Sequence, residues 1–356
     1  MGQAFTSQLP DPTCSPPLRP YSPSWIDRLL AWIDRLPVSI PFVLIGLWIV
    51  LVTLIHVTAW HQGIMTTGQL DARILVINTW IPYGLGFIFY LKKASNDALT
   101  AFRPALPLTD DAFDSLRYRF TVMPQRGVLI SIGFGALLAF VTLQMYPENA
   151  APFKDTLLVS FVSTTLSMAG AATIMTVIYY TFRQLRLIRQ TYAQASRLDL
   201  FHTNELYAFS SLTLRTGIGW LIILYAGVLF YPALGRNITW VVTSGVVMVG
   251  VAISFVTTLG DIHQRIASVK AQRMQQIDER LQAAFDRLHQ CIDGGEHNSL
   301  GTQREVMDAL LVERGLVVKL PTWPWQSGTL ASFLTAVFLP VIVWFMQAML
   351  QRLLGL

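Results

Sequence analysis

Charge is scarce in this chain. Only 13% of its 356 residues are Asp, Glu, Lys or Arg, while 53% are hydrophobic. Soluble domains carry about 25% charged residues. A water-soluble fold this apolar would expose large adhesive patches, so an ordinary soluble architecture is excluded. Cysteine is scarcer still, with Cys14 and Cys291 the only two. They lie far apart and neither has a ligand-spaced neighbour. That pattern excludes a disulfide framework and a cysteine zinc site.

The residue patterns that carry chemistry are missing too. His56 and His61 stand five apart, so they do not share a helix face as a metal pair four apart would. The other histidines, His202, His263, His289 and His297, are scattered, and none falls in an H-E-x-x-H frame. No Gly-rich phosphate loop or kinase signature occurs. Neither a serine–histidine arrangement nor an aspartate pair stands at membrane depth. The expectation is a non-enzyme with no catalytic, metal or cofactor-binding residues and no cofactor. The net charge of +5 is accounted for by topology (below), so nucleic acid is not expected as a partner.

What the chain has is long apolar runs. A helix crosses the hydrocarbon core with about 20 residues, and an acid or base at its centre costs about 2.5–3.5 kcal/mol. Seven windows free of Asp, Glu, Lys and Arg are long enough. Trimmed to their apolar parts they cover 38–60, 74–91, 128–146, 157–180, 216–234, 238–259 and 329–349. Pro82 in the second and Pro340 in the seventh predict kinks, which membrane helices tolerate when neighbours satisfy the freed carbonyls.

Lys and Arg set the orientation. With the N-terminus inside, the pieces 1–37, 92–127, 181–215 and 260–328 hold 22 of the 26 basic residues. The opposite side holds only Arg73, Lys154, Arg236 and Arg352. The expected fold class is therefore all-α, a polytopic membrane protein of about seven transmembrane helices. It would lie in the plasma membrane with its N-terminus cytoplasmic and its C-terminus outside. A Pro-rich disordered tail is expected over 1–24, and six spans with interfacial helices over 25–260. A cytoplasmic helical hairpin would follow over 261–319, and the last span in 320–356.

Several polar pieces are patterned. Residues 25–36 repeat Trp-Ile-Asp-Arg-Leu at an interval of seven, two helical turns, which predicts an interfacial helix. Thr109-Asp-Asp predicts the N-cap of a short helix over 109–122. Residues 183–198 extend the fourth span. There Arg183, Arg186 and Arg197 fall on one side, a face for anionic lipid or an acidic partner. Over 261–292, Ile266, Val269, Ile277, Leu281 and Leu288 recur at helical spacing as a pairing stripe. The stripe calls for a partner: the helix at about 302–314, through Met307, Leu310 and Leu311, or the same helix in a second copy as a coiled coil.

Small residues thin the spans. Ser131, Gly135 and Ala139 in the third, and Ser163, Ser167 and Ala171 in the fourth, repeat at four, the rule for close helix packing. The first functional expectation is a non-enzymatic membrane scaffold or sensor with a cytoplasmic helical interaction module. Its partners would be the lipid bilayer, anionic lipid included, and a second copy or a cytoplasmic protein. The alternative is a channel or transporter for a neutral or hydrophobic solute, its path lined by Asn78, Thr164, Ser167 and Thr173.

Overall fold

The computed structural model describes residues 20–145, 156–194, 203–231, 238–293, 297–320 and 322. Among these residues the chain is all-helical, with no strand. The helices are α1 (Trp25–Ile33), α2 (Ile40–His61), α3 (Ala72–Ile77), α4 (Trp80–Phe102) and α5 (Asp110–Thr121). They continue as α6 (Gln125–Met145), α7 (Leu157–Gln194), α8 (Thr203–Phe230), α9 (Ile238–Asp293) and α10 (His297–Lys319).

Five stretches are long and apolar enough to cross a membrane: Ile40–His61, Ala72–Ala105, Gln125–Met145, Leu157–Gln194 and Ala208–Phe230. They overlap the first five expected windows. The sixth window falls in the first part of α9. The seventh lies outside the described residues, as does the Pro-rich segment 1–19. The outer faces carry bare apolar side chains: Phe42, Ile49 and Val50 on α2, and Ile130, Phe134 and Leu137 on α6, are all more than half exposed. Apolar surface left in water costs about 25 cal/mol per Å². Exposure on this scale suits a lipid-facing belt.

The core is organised around α4. Its Ile88, Leu91, Leu99 and Phe102 are fully buried. They pack with Ile26 and Leu30 of α1, Phe120 of α5, Tyr180 and Ile188 of α7, and Phe209 of α8. Phe102, Tyr192 and Phe209 form an aromatic cluster with centroids 4.8–5.5 Å apart, within the range where edge and offset contacts are favourable.

The expected second span is interrupted. The chain breaks between α3 and α4 at Asn78 and Thr79, which puts Pro82 in the first turn of α4, where proline is tolerated. Ile74 keeps its backbone bond from Asn78 N at 3.2 Å, while Leu75 loses its helical donor because Thr79 N turns to the Val76 carbonyl, and side chains reach both carbonyls. Asn78 Nδ2 donates to the Ile74 carbonyl at 2.8 Å. The Leu75 carbonyl accepts from Thr79 Oγ1 at 2.9 Å and from the Trp48 indole of α2 at 3.1 Å. This is the compensation a helix break at membrane depth requires.

Helices α6 and α7 approach closely at Gly135. A Cβ there would stand 2.7 Å from the Ala171 carbonyl oxygen and 2.8 Å from Ala172 Cα. Beyond its apolar part, α7 runs on unbroken for 38 residues in all, as the sequence predicts.

Candidate functional site

The densest polar arrangement stands where the N-terminal segment meets α4, α7 and the α5–α6 joint. It grows from Ser24, the N-cap of α1, which forms a reciprocal capping box with Asp27. Asp27 is 6% exposed, a costly place for a carboxylate unless it is paired and hydrogen-bonded. Both conditions are met. Oδ2 accepts from Ser24 N at 3.1 Å, Ser24 Oγ at 2.7 Å and Met123 N at 2.8 Å. Oδ1 pairs with the Lys92 ammonium of α4. The Ser24 amide also donates to the Met123 carbonyl at 3.1 Å.

A second knot lies beside it. Tyr21 donates its hydroxyl proton to the Val122 carbonyl at 2.9 Å, and Tyr118 donates to the Tyr21 carbonyl at 2.8 Å. Arg183 of α7 donates Nη1 to the same Val122 carbonyl at 2.9 Å and Nη2 to the Tyr21 hydroxyl. Its guanidinium also stands over the Tyr21 ring, 5.4 Å from the centroid. Burial pushes the Tyr21 phenol up from its ordinary value; the Arg183 charge and hydrogen bond pull the other way without overcoming it. Together the knots fasten residues 21–27 to α4, α5 and α7. Their chemistry is that of a clamp: every polar atom named is spent on another part of the chain.

The arginines expected to share a face are thus placed differently from one another. Arg183 is half-buried in the clamp, Arg186 is exposed, and Arg197 lies outside the described residues. Helical periodicity does not single out Asp27 or Tyr21. The Ser-x-x-Asp spacing at Ser24 and Asp27 was the available signal.

The pairing stripe on α9 faces two neighbours. Ile266 is 1% exposed and belongs to the main core, with Val269 and Leu320 against it. Ile277 is 1% exposed, and Leu281 and Leu288 are half-buried. Helix α10 lies antiparallel along this part of α9. Arg273 pairs with Glu313 at 3.2 Å and Arg314 with Asp278 at 2.8 Å. Lys270 Nζ donates to the carbonyls of Val318 and Leu320 at 2.8 and 2.7 Å. On α10 Val317 is fully buried, Met307 and Leu310 are half-buried, and Leu311 is exposed. The contact therefore reaches beyond the stretch 302–314 expected to supply it.

The residues expected to line a path do not line the cavity described below. Asn78 is buried with its amide bonded to Ile74, and Thr173 abuts Gly84 and returns its hydroxyl to the Ala169 carbonyl. Thr164 and Ser167 are half-buried on α7. A cavity of about 670 Å³ opens between α2, α4 and α8, and none of the four lines it. His56 is buried, with Nδ1 at 2.8 Å from the Val52 carbonyl and Nε2 accepting from Asp71 N at 3.1 Å. Nδ1 thus fixes the ring against its own helix, and Nε2 holds the N-cap of α3. The chain matches no protein family, no curated protein and no solved structure.

Proposed function

We propose that the chain is a non-enzymatic membrane scaffold or sensor. Seven spans hold it in the plasma membrane with the N-terminus cytoplasmic, and α9 with α10 forms a cytoplasmic helical hairpin that engages a second copy or a cytoplasmic protein. One observation carries the reading. Helix α9 is continuous for 56 residues, from a charge-free first part into a polar part paired with α10. At 1.5 Å per residue that is a rod of about 84 Å. Its middle is anchored in the core by Ile266. Displacement among the core helices would therefore be carried directly to the polar end.

The helix pair also retains unpartnered apolar surface. Phe285 and Ile292 on α9, and Val312 and Leu316 on α10, are 40–63% exposed. On a polar helix pair such residues suit a protein contact. Cys291, half-buried and adjacent to Ile292 in α9, places a probe at that end of the pair.

The test uses the full chain with Cys14→Ser, so that Cys291 is the single thiol, treated with a bifunctional crosslinker in native membranes. The expected product is a Cys291-dependent species, either a dimer or an adduct with one other protein. A chain that stays monomeric and adduct-free while its thiol remains reactive overturns the reading. Labelling of Cys291 only from the cytoplasmic side is expected, and labelling from outside would reverse the orientation.

The second reading is a carrier for a neutral or hydrophobic solute. The cavity between α2, α4 and α8 speaks for it, and the absence of Asn78, Thr164, Ser167 and Thr173 from its lining speaks against a path through those residues. Liposome flux that survives substitution of those four residues removes it.

A further inference from the structure

The cavity between α2, α4 and α8 is an amphiphilic groove open to the side. Its floor is α4, from Thr79 to Tyr90. Those eleven steps of helix make a trough of about 16 Å. Its rims are Ile45 on α2 and Ile218 and Ile222 on α8, 52%, 40% and 53% exposed. The rims belong to the outer apolar surface, so the groove opens where lipid would lie.

The polar atoms along the groove are already spent. The Trp48 indole and the Thr79 hydroxyl both donate to the Leu75 carbonyl. The Tyr83 hydroxyl donates to the Gly219 carbonyl at 2.5 Å. A guest in the trough meets only apolar surface. The exceptions are Arg215 and Tyr90, both exposed, and neither makes a hydrogen bond or ion pair among the described residues. Lys93, also exposed and unpaired among them, stands three residues beyond Tyr90 on the same side of α4. Next to it, Lys92 belongs to the Asp27 clamp. Arg215 and Lys93 therefore sit at the end of the groove nearest the basic face of the protein.

A trough without hydrogen-bonding capacity, ending in cations unpaired among the described residues and open to the bilayer, matches one kind of guest. We infer that the groove binds a single anionic phospholipid of the surrounding leaflet. An acyl chain lies along α4 between Ile45 and Ile222, and the phosphodiester rests on Arg215 with Lys93 alongside. Arginine suits this position because its planar guanidinium can grip two phosphate oxygens at once. The inference needs the protein in a membrane, but not the partner contact at Cys291.

The test is native mass spectrometry of the full-length protein in detergent. It is titrated separately with phosphatidylglycerol and phosphatidylcholine carrying identical acyl chains. One tightly held phosphatidylglycerol is expected, preferred over phosphatidylcholine by about fivefold or more, the worth of one basic side chain at a lipid headgroup. Arg215→Gln should bring the two lipids to parity while keeping an adduct. Ile222→Trp, which fills the trough from an exposed rim, should remove the adduct of both. Raising the salt concentration on the unaltered protein should erode the preference, which covers the case of a variant that fails to fold. A preference untouched by Arg215→Gln overturns the proposal. So does an unaltered protein that retains no lipid, because its own last apolar segment or a second copy then fills the groove.

Discussion

Asp27 and Lys92 form an ion pair across 65 positions of sequence, joining the first amphipathic helix to the central helix α4. Their side chains are 5% and 16% exposed, so neither charge can turn to water when the other is removed. The two losses are unequal. Asp27→Ala strands the Lys92 ammonium and the donors of Ser24 and Met123, which should cost about 3–5 kcal/mol. Lys92→Ala leaves Asp27 with three donors and should cost about 1–3 kcal/mol. Thermal unfolding in detergent orders the variants. Equal losses would mean that the lysine, not the hydrogen-bonded cap, supports the carboxylate.

Tyr21 gives the clamp a pH limit. Burial raises its phenol above the ordinary 10.0. The folded state therefore holds the proton more tightly than the unfolded one, and stability falls as pH rises through the gap between the two values. The contribution is whole below pH 10 and is lost above the folded value. Tyr21→Phe should lose about 1–2 kcal/mol through the missing hydrogen bonds. Its gap from the unaltered protein should stay constant through neutral pH and close only in alkali. A gap that closes below pH 9 would assign the effect to another group.

The two copies of Trp-Ile-Asp-Arg-Leu mark how far sequence reading carries. Periodicity turns both copies the same way over 25–36, and Ile26 and Ile33 are indeed both buried, but α1 ends at Ile33, inside the second copy. Periodicity cannot distinguish Asp27, which is buried, from Asp34, which is exposed. The difference is made by Ser24 ahead of the first copy and by Lys92 and Met123 from distant segments. Helix starts were legible for the same local reason: Thr109 caps α5 through Ala112 N, as its sequence predicts. The first five span windows were legible because composition alone decides them. The break at Asn78 was not, since it depends on the Trp48 indole reaching across from α2. Arg183 shows what spacing alone leaves out. Helical spacing put it on a face with Arg186, while tertiary contacts turned it into the clamp.

Small residues in α6 can be sorted by what a methyl group would meet. At Gly135 it meets backbone atoms of Ala171 and Ala172, which cannot rotate away. Gly135→Ala should therefore push α6 from α7 and cost about 1–3 kcal/mol. Gly133 has nothing within 4 Å of the corresponding position. Gly133→Ala should be neutral, or stabilise by up to about 1 kcal/mol through helix propensity. Melting temperatures of the two variants should move apart. If they shift together, the effect comes from helix propensity and not from the contact.

The α9–α10 pairing is held by contacts of very different worth. Arg273–Glu313 and Arg314–Asp278 involve side chains 32–51% exposed, and such pairs contribute about 0–1 kcal/mol each. Ile277 and Val317 are essentially fully buried, and truncating either to alanine should cost about 2–4 kcal/mol for isoleucine and somewhat less for valine. Lys270 stands between these cases. Its ammonium satisfies the carbonyls of Val318 and Leu320, at the helix end where a cation is favoured. Lys270→Met should expose the last turn of α10 without separating the rest. Hydrogen exchange on α10 resolves the three outcomes: unchanged protection in Arg273→Gln, faster exchange confined to residues near 316–319 in Lys270→Met, and faster exchange throughout α10 in Ile277→Ala. Protection lost throughout in Arg273→Gln would instead make the ion pairs the principal hold, and the apolar stripe secondary.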